Sequence, residues 1–192
     1  MVEMRAKISG DKVVVDNERL ANTLNARGYG RLFDEEKLEL SPVEAMYLME
    51  KKKLKIFDGK DLEEEEVFDK FSHVDERFGH KFIVYRDLRK RGYRVKCFHD
   101  LKNEGVDYRL KPKRPQQRDI FVVCAGEREE FTIDRMVGYI ERIDPLIEEL
   151  WVGVVDEEGE VTYYKIEEIE PKGKFEDVEG LHCRGILLRD LV

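Results

Sequence analysis

The chain has 192 residues, 41% hydrophobic and 41% charged, with a formal net charge of −8. That apolar share can build the core of one large domain or two small ones, which excludes disorder throughout. No apolar run approaches the roughly 18 residues of a membrane helix, and Met1 to Gly10 carries Glu3, Arg5 and Lys7 where a leader would be apolar, so neither a membrane span nor a secretion signal is expected.

In chain order, Met4 to Ile8 and Lys12 to Asp16 flank Ser9-Gly10-Asp11, a hairpin pattern. A helix follows with Leu20 and Leu24 on one face and ends at Arg27-Gly28-Tyr29-Gly30, where glycines supply stop signals. Ser41-Pro42-Val43-Glu44 is a capping box: Ser41 caps, Pro42 suits the first helical position and Glu44 reaches back to the cap. Val43, Met46, Tyr47, Leu48 and Met49 then form that helix's apolar side. Four consecutive glutamates, Glu63 to Glu66, read as a solvated helix start, because acids favour the positive end of the helix dipole. Phe78, Phe82, Tyr85 and Leu88 form one helical stripe within Val74 to Arg91, which Gly92 should terminate.

Beyond Gly92 the pattern turns to strands: Tyr93 to Phe98, Val106 to Leu110 and Ile120 to Cys124. The segment from Lys111 to Arg118 is basic and twice broken by proline, hence an exposed loop. Phe131 to Ile143 is expected to be a helix with Ile133, Met136, Val137 and Ile140 inward. Trp151 to Val155 and Val161 to Ile166 then form a hairpin around the acidic turn Asp156-Glu157-Glu158-Gly159. The expected organisation is α/β (α+β), with an N-terminal α/β domain over residues 1–80, a second domain over 81–171 and an appendage over 172–192.

The charge is unevenly spread: residues 1–84 carry −4, residues 85–118 carry +8 and residues 119–192 carry −12. The basic segment faces either a polyanion or the acidic remainder of its own assembly, and composition does not choose between them. Cys97, Cys124 and Cys183 are odd in number and scattered, which suits a reducing cytoplasm. Four Asn and two Gln among abundant Glu, Lys and Arg resemble proteins stabilised at high temperature by surface ion pairs. Phosphate-cradling Gly-rich loops, HExxH, CxxC and GxSxG are all absent. Cys97 with His99 and His182 with Cys183 lack the spacing of zinc knuckles, so no metal or cofactor is expected.

The stretch Tyr85-Arg86-Asp87-Leu88-Arg89-Lys90-Arg91-Gly92-Tyr93-Arg94-Val95 resembles the Y-x-D-L-R-x-R-G-Y-x-V signature of the archaeal tRNA-intron (tRNA-splicing) endonuclease family. Residues 24–30, 40–48 and 155–164 resemble that family in the same order, and the similarity covers about residues 4 to 171. The resemblance implies a small mixed N-terminal domain and a restriction-nuclease-like C-terminal domain with a central mixed sheet. It also implies a dimer of dimers that cuts precursor tRNA at bulge-helix-bulge motifs without metal. In that chemistry a Tyr is the base for the 2′-hydroxyl, a His protonates the leaving 5′-oxygen and a Lys stabilises the phosphorane, leaving a 2′,3′-cyclic phosphate.

The family's three catalytic positions correspond here to Lys111, Arg118 and either Glu148 or Glu149. Arg does not release a proton, Glu repels a phosphorane, and Lys is a base near neutral pH only with a depressed pKa. The expected reading is therefore a structural subunit, a pseudoenzyme with no catalytic residue of its own, in a heterotetramer with a separate catalytic endonuclease subunit. The family resemblance also assigns Asp156, Glu157, Glu158 and Glu160 to a loop that docks into a partner's basic cleft. It assigns Val161, Tyr163 and Tyr164 to a strand that pairs between subunits. From the basic loop, Lys111, Lys113, Arg114 and Arg118 are expected to contact RNA phosphates. Two alternatives stay open: an active homo-oligomer using relocated groups such as Tyr108, His99 or His182, and a repurposed RNA-binding or assembly protein.

Overall fold

The structure is a computed structural model, and it describes residues 4–34, 36–97, 105–111, 118–130, 132–141, 148–169 and 185–191. Alternation of apolar and polar residues around Gly10 makes the first hairpin, β1 (Arg5–Ser9) and β2 (Lys12–Val15). Asn17 caps α1 (Glu18–Ala26) by accepting from Leu20 N, as short polar side chains do at helix starts. Short strands β3 (Arg31–Phe33) and β4 (Lys37–Leu40), helix α2 (Pro42–Glu50), and strands β5 (Lys55–Asp58) and β6 (Lys60–Asp61) follow. They complete a mixed sheet of order β3-β4-β2-β1-β5-β6, in which only β1 and β5 run parallel. Helix α3 (Glu64–Ser72) starts within the glutamate run, with Glu66 accepting from Glu63 N.

The capping box is present and does more than cap. Glu44 Oε2 accepts from Ser41 N at 2.9 Å and Ser41 Oγ at 3.0 Å, while Oε1 accepts from Gly30 N at 2.8 Å. Gly30 has φ +60, and a Cβ there would lie 2.5 Å from the Glu39 carbonyl oxygen, so a side chain is excluded. The carboxylate thus ties the turn before β3 to the start of α2 at a site only 1% exposed. Glu44→Ala leaves two backbone N–H groups and the Ser41 hydroxyl without their acceptor, and is expected to cost about 3 kcal/mol in urea unfolding. A loss below about 0.5 kcal/mol would show that the three donors find other partners.

The sequence pattern suggests one apolar side on α2, but every residue from Val43 to Met49 is buried. The reason is position. The helix lies between the first sheet, α3 and the long helix α4 (Phe78–Lys90), so no side is left to solvent. Tyr29, Tyr47, Tyr85 and Tyr108 form a chain of ring contacts with centroids 5.6–6.4 Å apart, carrying one core from the first sheet across α4 into the second. Arg89 lies 4.2 Å over the Tyr29 ring, and Lys96 Nζ donates to Gly30 O at 3.0 Å. The expected division at residue 80 falls inside α4, which packs on both layers.

Gly92, with φ +85, ends α4 as expected. The second sheet comprises β7 (Arg94–Cys97), β8 (Tyr108–Lys111), β9 (Asp119–Gly126), β10 (Glu148–Val155), β11 (Val161–Ile169) and β12 (Gly185–Leu191). Its order is β12-β11-β10-β9-β8-β7, antiparallel except for β9 with β10, which are joined through α5 (Ile133–Ile140). Thr132 caps α5, whose Tyr139 and Ile140 pack with Val123, Leu150, Val152 and Ile166 into a second core cluster.

One expectation is corrected. Residues 172–192 are not simply an appendage, because β12 within them is a strand of the central sheet, paired along seven residues with β11. Its strand character is carried by the run Ile186-Leu187-Leu188, too short to be assigned without the register that β11 supplies.

Candidate functional site

Three strands end at the same place. Leu110 of β8 pairs with Ile120 of β9, and Asp119 of β9 pairs with Glu148 of β10. Adjacent strands lie about 4.8 Å apart, so Lys111 at the end of β8, Arg118 just before β9, and Glu148 and Glu149 at the start of β10 share one end of the sheet. Lys113 and Arg114 lie outside the described residues, as do His99, His182 and Cys183.

That end is tied into ion pairs. Arg109 Nε donates to Asp119 at 2.7 Å. Glu149 accepts from Trp151 Nε1 at 3.2 Å and lies 3.5 Å from Lys165 Nζ. Lys165 also reaches Glu167 at 2.8 Å, and Arg189 of β12 reaches Glu167 at 3.3 Å. The hydrogen bond from Lys165 holds the Glu167 carboxyl below the usual glutamate range, with the charges of Lys165, Arg189 and Arg118 adding to it. None of the three positions carries a phenol or an imidazole to move a proton, and the glutamates put negative charge where a phosphorane would need positive charge.

Tyr108 is no replacement base. It is 2% exposed, its hydroxyl donates to Lys81 O at 2.8 Å, and burial pushes its pKa well up. Its place is in the core, between the Tyr85 ring and β9.

The basic segment is largely used within the chain. Arg86 lies 3.9 Å from Glu50, Arg91 pairs with Asp87 at 2.7 Å, and Arg89 and Lys96 hold the first layer as described above. Lys90 and Lys111 are exposed. Lys90, Arg86 and Arg91 line a groove of about 340 Å³ that runs from α4 to Gly159, Glu160 and Val161.

The acidic turn has its own internal construction. Asp156 Oδ1 accepts from Glu160 N at 2.8 Å, Asp156 O accepts from Gly159 N at 3.2 Å, and Gly159 sits at φ +78. Asp156 therefore shapes the turn. Glu157 pairs with Arg128, both well exposed, and Glu158 and Glu160 project into solvent.

The strand expected to pair between subunits also differs from its expectation. Val161, Tyr163 and Tyr164 lie on β11, which has β10 on one side and β12 on the other, so its outer edge is occupied in the chain. Tyr163 is 3% exposed, and its hydroxyl donates to Asp87 at 2.9 Å. Burial first, then the neighbouring Asp87, raises its pKa.

One functional-looking group gave no sequence signal. Asp107, 8% exposed at its side chain, accepts from Cys124 N at 2.7 Å and Arg77 Nη2 at 3.1 Å, and lies 3.4 Å from Lys81 Nζ. It joins the start of α4 to β8 and β9. Only its place after Gly105 in the family-like stretch marked it.

Two mixed sheets sharing a helix-bridged core, the second ending in the three-strand cluster, define a two-layer α+β protein with the outline of an RNA-cleaving domain pair. Residues 4–68 match the family model for the tRNA intron endonuclease N-terminal domain, and residues 78–163 match that for the tRNA intron endonuclease catalytic C-terminal domain. The chain belongs to the tRNA intron endonuclease family. It is 36% identical over 162 residues to the tRNA-splicing endonuclease of Pyrococcus abyssi, covering 83% of this chain and 93% of the relative. It is 37% identical over 163 residues to that of Thermococcus onnurineus, covering 84% and 94%. It is 31% identical over 176 residues to that of Methanosarcina mazei, covering 89% of this chain but 48% of the relative.

Proposed function

We propose that this chain is the noncatalytic, structural subunit of a heteromeric tRNA-splicing endonuclease, assembled as a dimer of dimers with a chain that carries Tyr, His and Lys. The observation that carries this reading is the residue set at the shared strand ends: Lys111, Arg118, Glu148 and Glu149, tied into ion pairs around Asp119, Lys165 and Glu167. A base, an acid and a cation are each missing, and general acid–base groups alone are worth about 10² to 10⁴ in rate. The Methanosarcina mazei relative supports the pairing, since a match over 48% of its length leaves room for a second unit of similar size in one chain. In the assembly, Lys111, Lys113, Arg114 and Arg118 contact the phosphates of precursor tRNA, positioning it without reading bases.

The test is co-expression with a candidate catalytic subunit, followed by cleavage of a precursor tRNA containing a bulge-helix-bulge. The expected result is co-purification, cleavage by the complex, and none by this chain alone. Cleavage by the chain alone overturns the reading in favour of an active homo-oligomer. RNA binding with no complex and no cleavage overturns it in favour of a repurposed RNA-binding protein.

A further inference from the structure

Family similarity in the C-terminal model ends at residue 163, yet the sheet continues to β12, which pairs antiparallel with β11 from Tyr163 opposite Leu191 to Ile169 opposite Gly185. The strand adds backbone hydrogen bonds and little core. Leu187 and Leu191 are half-buried, Leu188 is 49% exposed, and Arg189 and Asp190 are exposed, whereas Tyr163 and Ile166 beneath them are 3% and 4% exposed. A strand held this way exchanges more easily than the one it covers, because little apolar area is lost when it leaves. The connecting residues 170–184 span at most about 50 Å, ample for such a movement.

What β12 covers is a nine-residue edge without proline, the kind of edge that pairs with another chain when open. Antiparallel pairing of two copies about a two-fold axis brings residues i and j opposite only when their numbers sum to an even value, since each face of the sheet must stay on its side. Centring the axis on Ile166 sets Lys165 of each copy opposite Glu167 of the partner subunit, a self-complementary charge register. The same two residues now pair within the strand at 2.8 Å.

We infer that β12 is an intramolecular cap that keeps the β11 edge from pairing with the β11 edge of a second copy of this chain. The cap makes the chain self-sufficient at that edge and leaves its oligomeric state to other contacts. This inference stands on the register and exposure of β12 and does not depend on the catalytic assignment.

The experiment compares the full chain with a chain ending at Ile169 by size-exclusion chromatography with light scattering across a concentration series. The expected result is a monomeric full chain and a discrete dimer of the shortened one. A peptide of residues 185–191 in excess should return the dimer to monomer, and Lys165→Glu in the shortened chain should prevent dimerisation. Identical oligomeric states for the two chains overturn the cap. If the shortened chain precipitates, the full chain carrying Tyr164→Cys and Asp190→Cys with Cys183→Ser decides the matter, because residues 164 and 190 face each other across the pair, within disulfide reach. Oxidised, it should stay monomeric, and reduction followed by addition of free 185–191 peptide should label the β11 edge. A locked chain that dimerises as readily as the reduced one overturns the inference.

Discussion

Neutralising the three outward glutamates of the acidic turn, with Glu157→Gln, Glu158→Gln and Glu160→Gln combined, is expected to split the assembled endonuclease into its constituent dimers while leaving each chain folded. Folding should survive because the turn is built by Asp156 and Gly159, neither of which is changed, and the Glu157 pair with Arg128 is 61% and 85% exposed at its two ends. Exposed pairs of that kind contribute little to stability. In a docked state the same carboxylates lose water and gain charge-assisted contacts at about 1.5 to 3 kcal/mol each. Three such losses weaken association by more than about a thousandfold. Light scattering of the co-purified complex at fixed concentration reads the result, and raising the salt should mimic the substitutions because the contact is ionic. If the triple variant elutes with the full assembly at every salt concentration, the turn is a solvated connection and the docking role is wrong. Asp156→Ala serves as the contrast, since it should disturb the turn itself and lower thermal stability.

The elements with strong local chemistry were legible in the sequence for definite reasons. Ser41-Pro42-Val43-Glu44 has only one comfortable arrangement, and it forms; the α4 stripe from Phe78 to Leu88 has a period that no strand satisfies. What stayed hidden depended on distant partners. The burial of α2 on every side follows from α3 and α4 closing over it, and β12 owes its assignment to hydrogen bonds offered by β11. Glu44 was readable as a cap, but its bond to Gly30, fourteen residues away, was not.

The candidate site divides in a similar way. Lys111, Arg118 and Glu148 or Glu149 were placed by resemblance, and the register shows why they meet: three neighbouring strands end together. Their neutralisation by Asp119, Lys165 and Glu167 came from cross-strand geometry that no spacing reveals. The family-like stretch Gly105-Val106-Asp107-Tyr108-Arg109-Leu110-Lys111 separates two kinds of demand. Gly105 sits at φ +104, Asp107 bonds three groups and Tyr108 fills the core, so those residues answer to the fold. Lys111, at the exposed end, answers to chemistry alone, and it is the residue that departs from the family's pattern.

That division leads to a large expected effect on stability. Asp107→Ala removes the acceptor for Cys124 N and the counter-charge of Arg77 and Lys81, whose side chains are only 30% and 25% exposed. Breaking one partner out of a buried pair costs about 3 to 5 kcal/mol. The remaining exposure of the two cations, and the alternative that Asp75 offers Lys81 at 2.7 Å, argue for the lower end, about 3 kcal/mol. For a chain of this length that lowers Tm by roughly 6 to 12 °C. Asp107→Asn should fall between the two, because an amide oxygen still accepts from Cys124 N while the charge is gone. The pH dependence supplies a second reading. Burial lowers the Lys81 pKa, but Asp107 and then Asp75 outweigh it and hold the ammonium above its ordinary 10.5. A raised folded-state pKa contributes stability that is fully present below the unfolded value and is lost as pH rises through the folded one. The wild-type chain should therefore lose stability above about pH 10.5, and Asp107→Ala should lose less over the same range because part of that contribution is already gone. Urea midpoints measured across that range test both parts, and an alanine variant within about 0.5 kcal/mol of wild type would show that Asp107 is a bystander to Arg77 and Lys81.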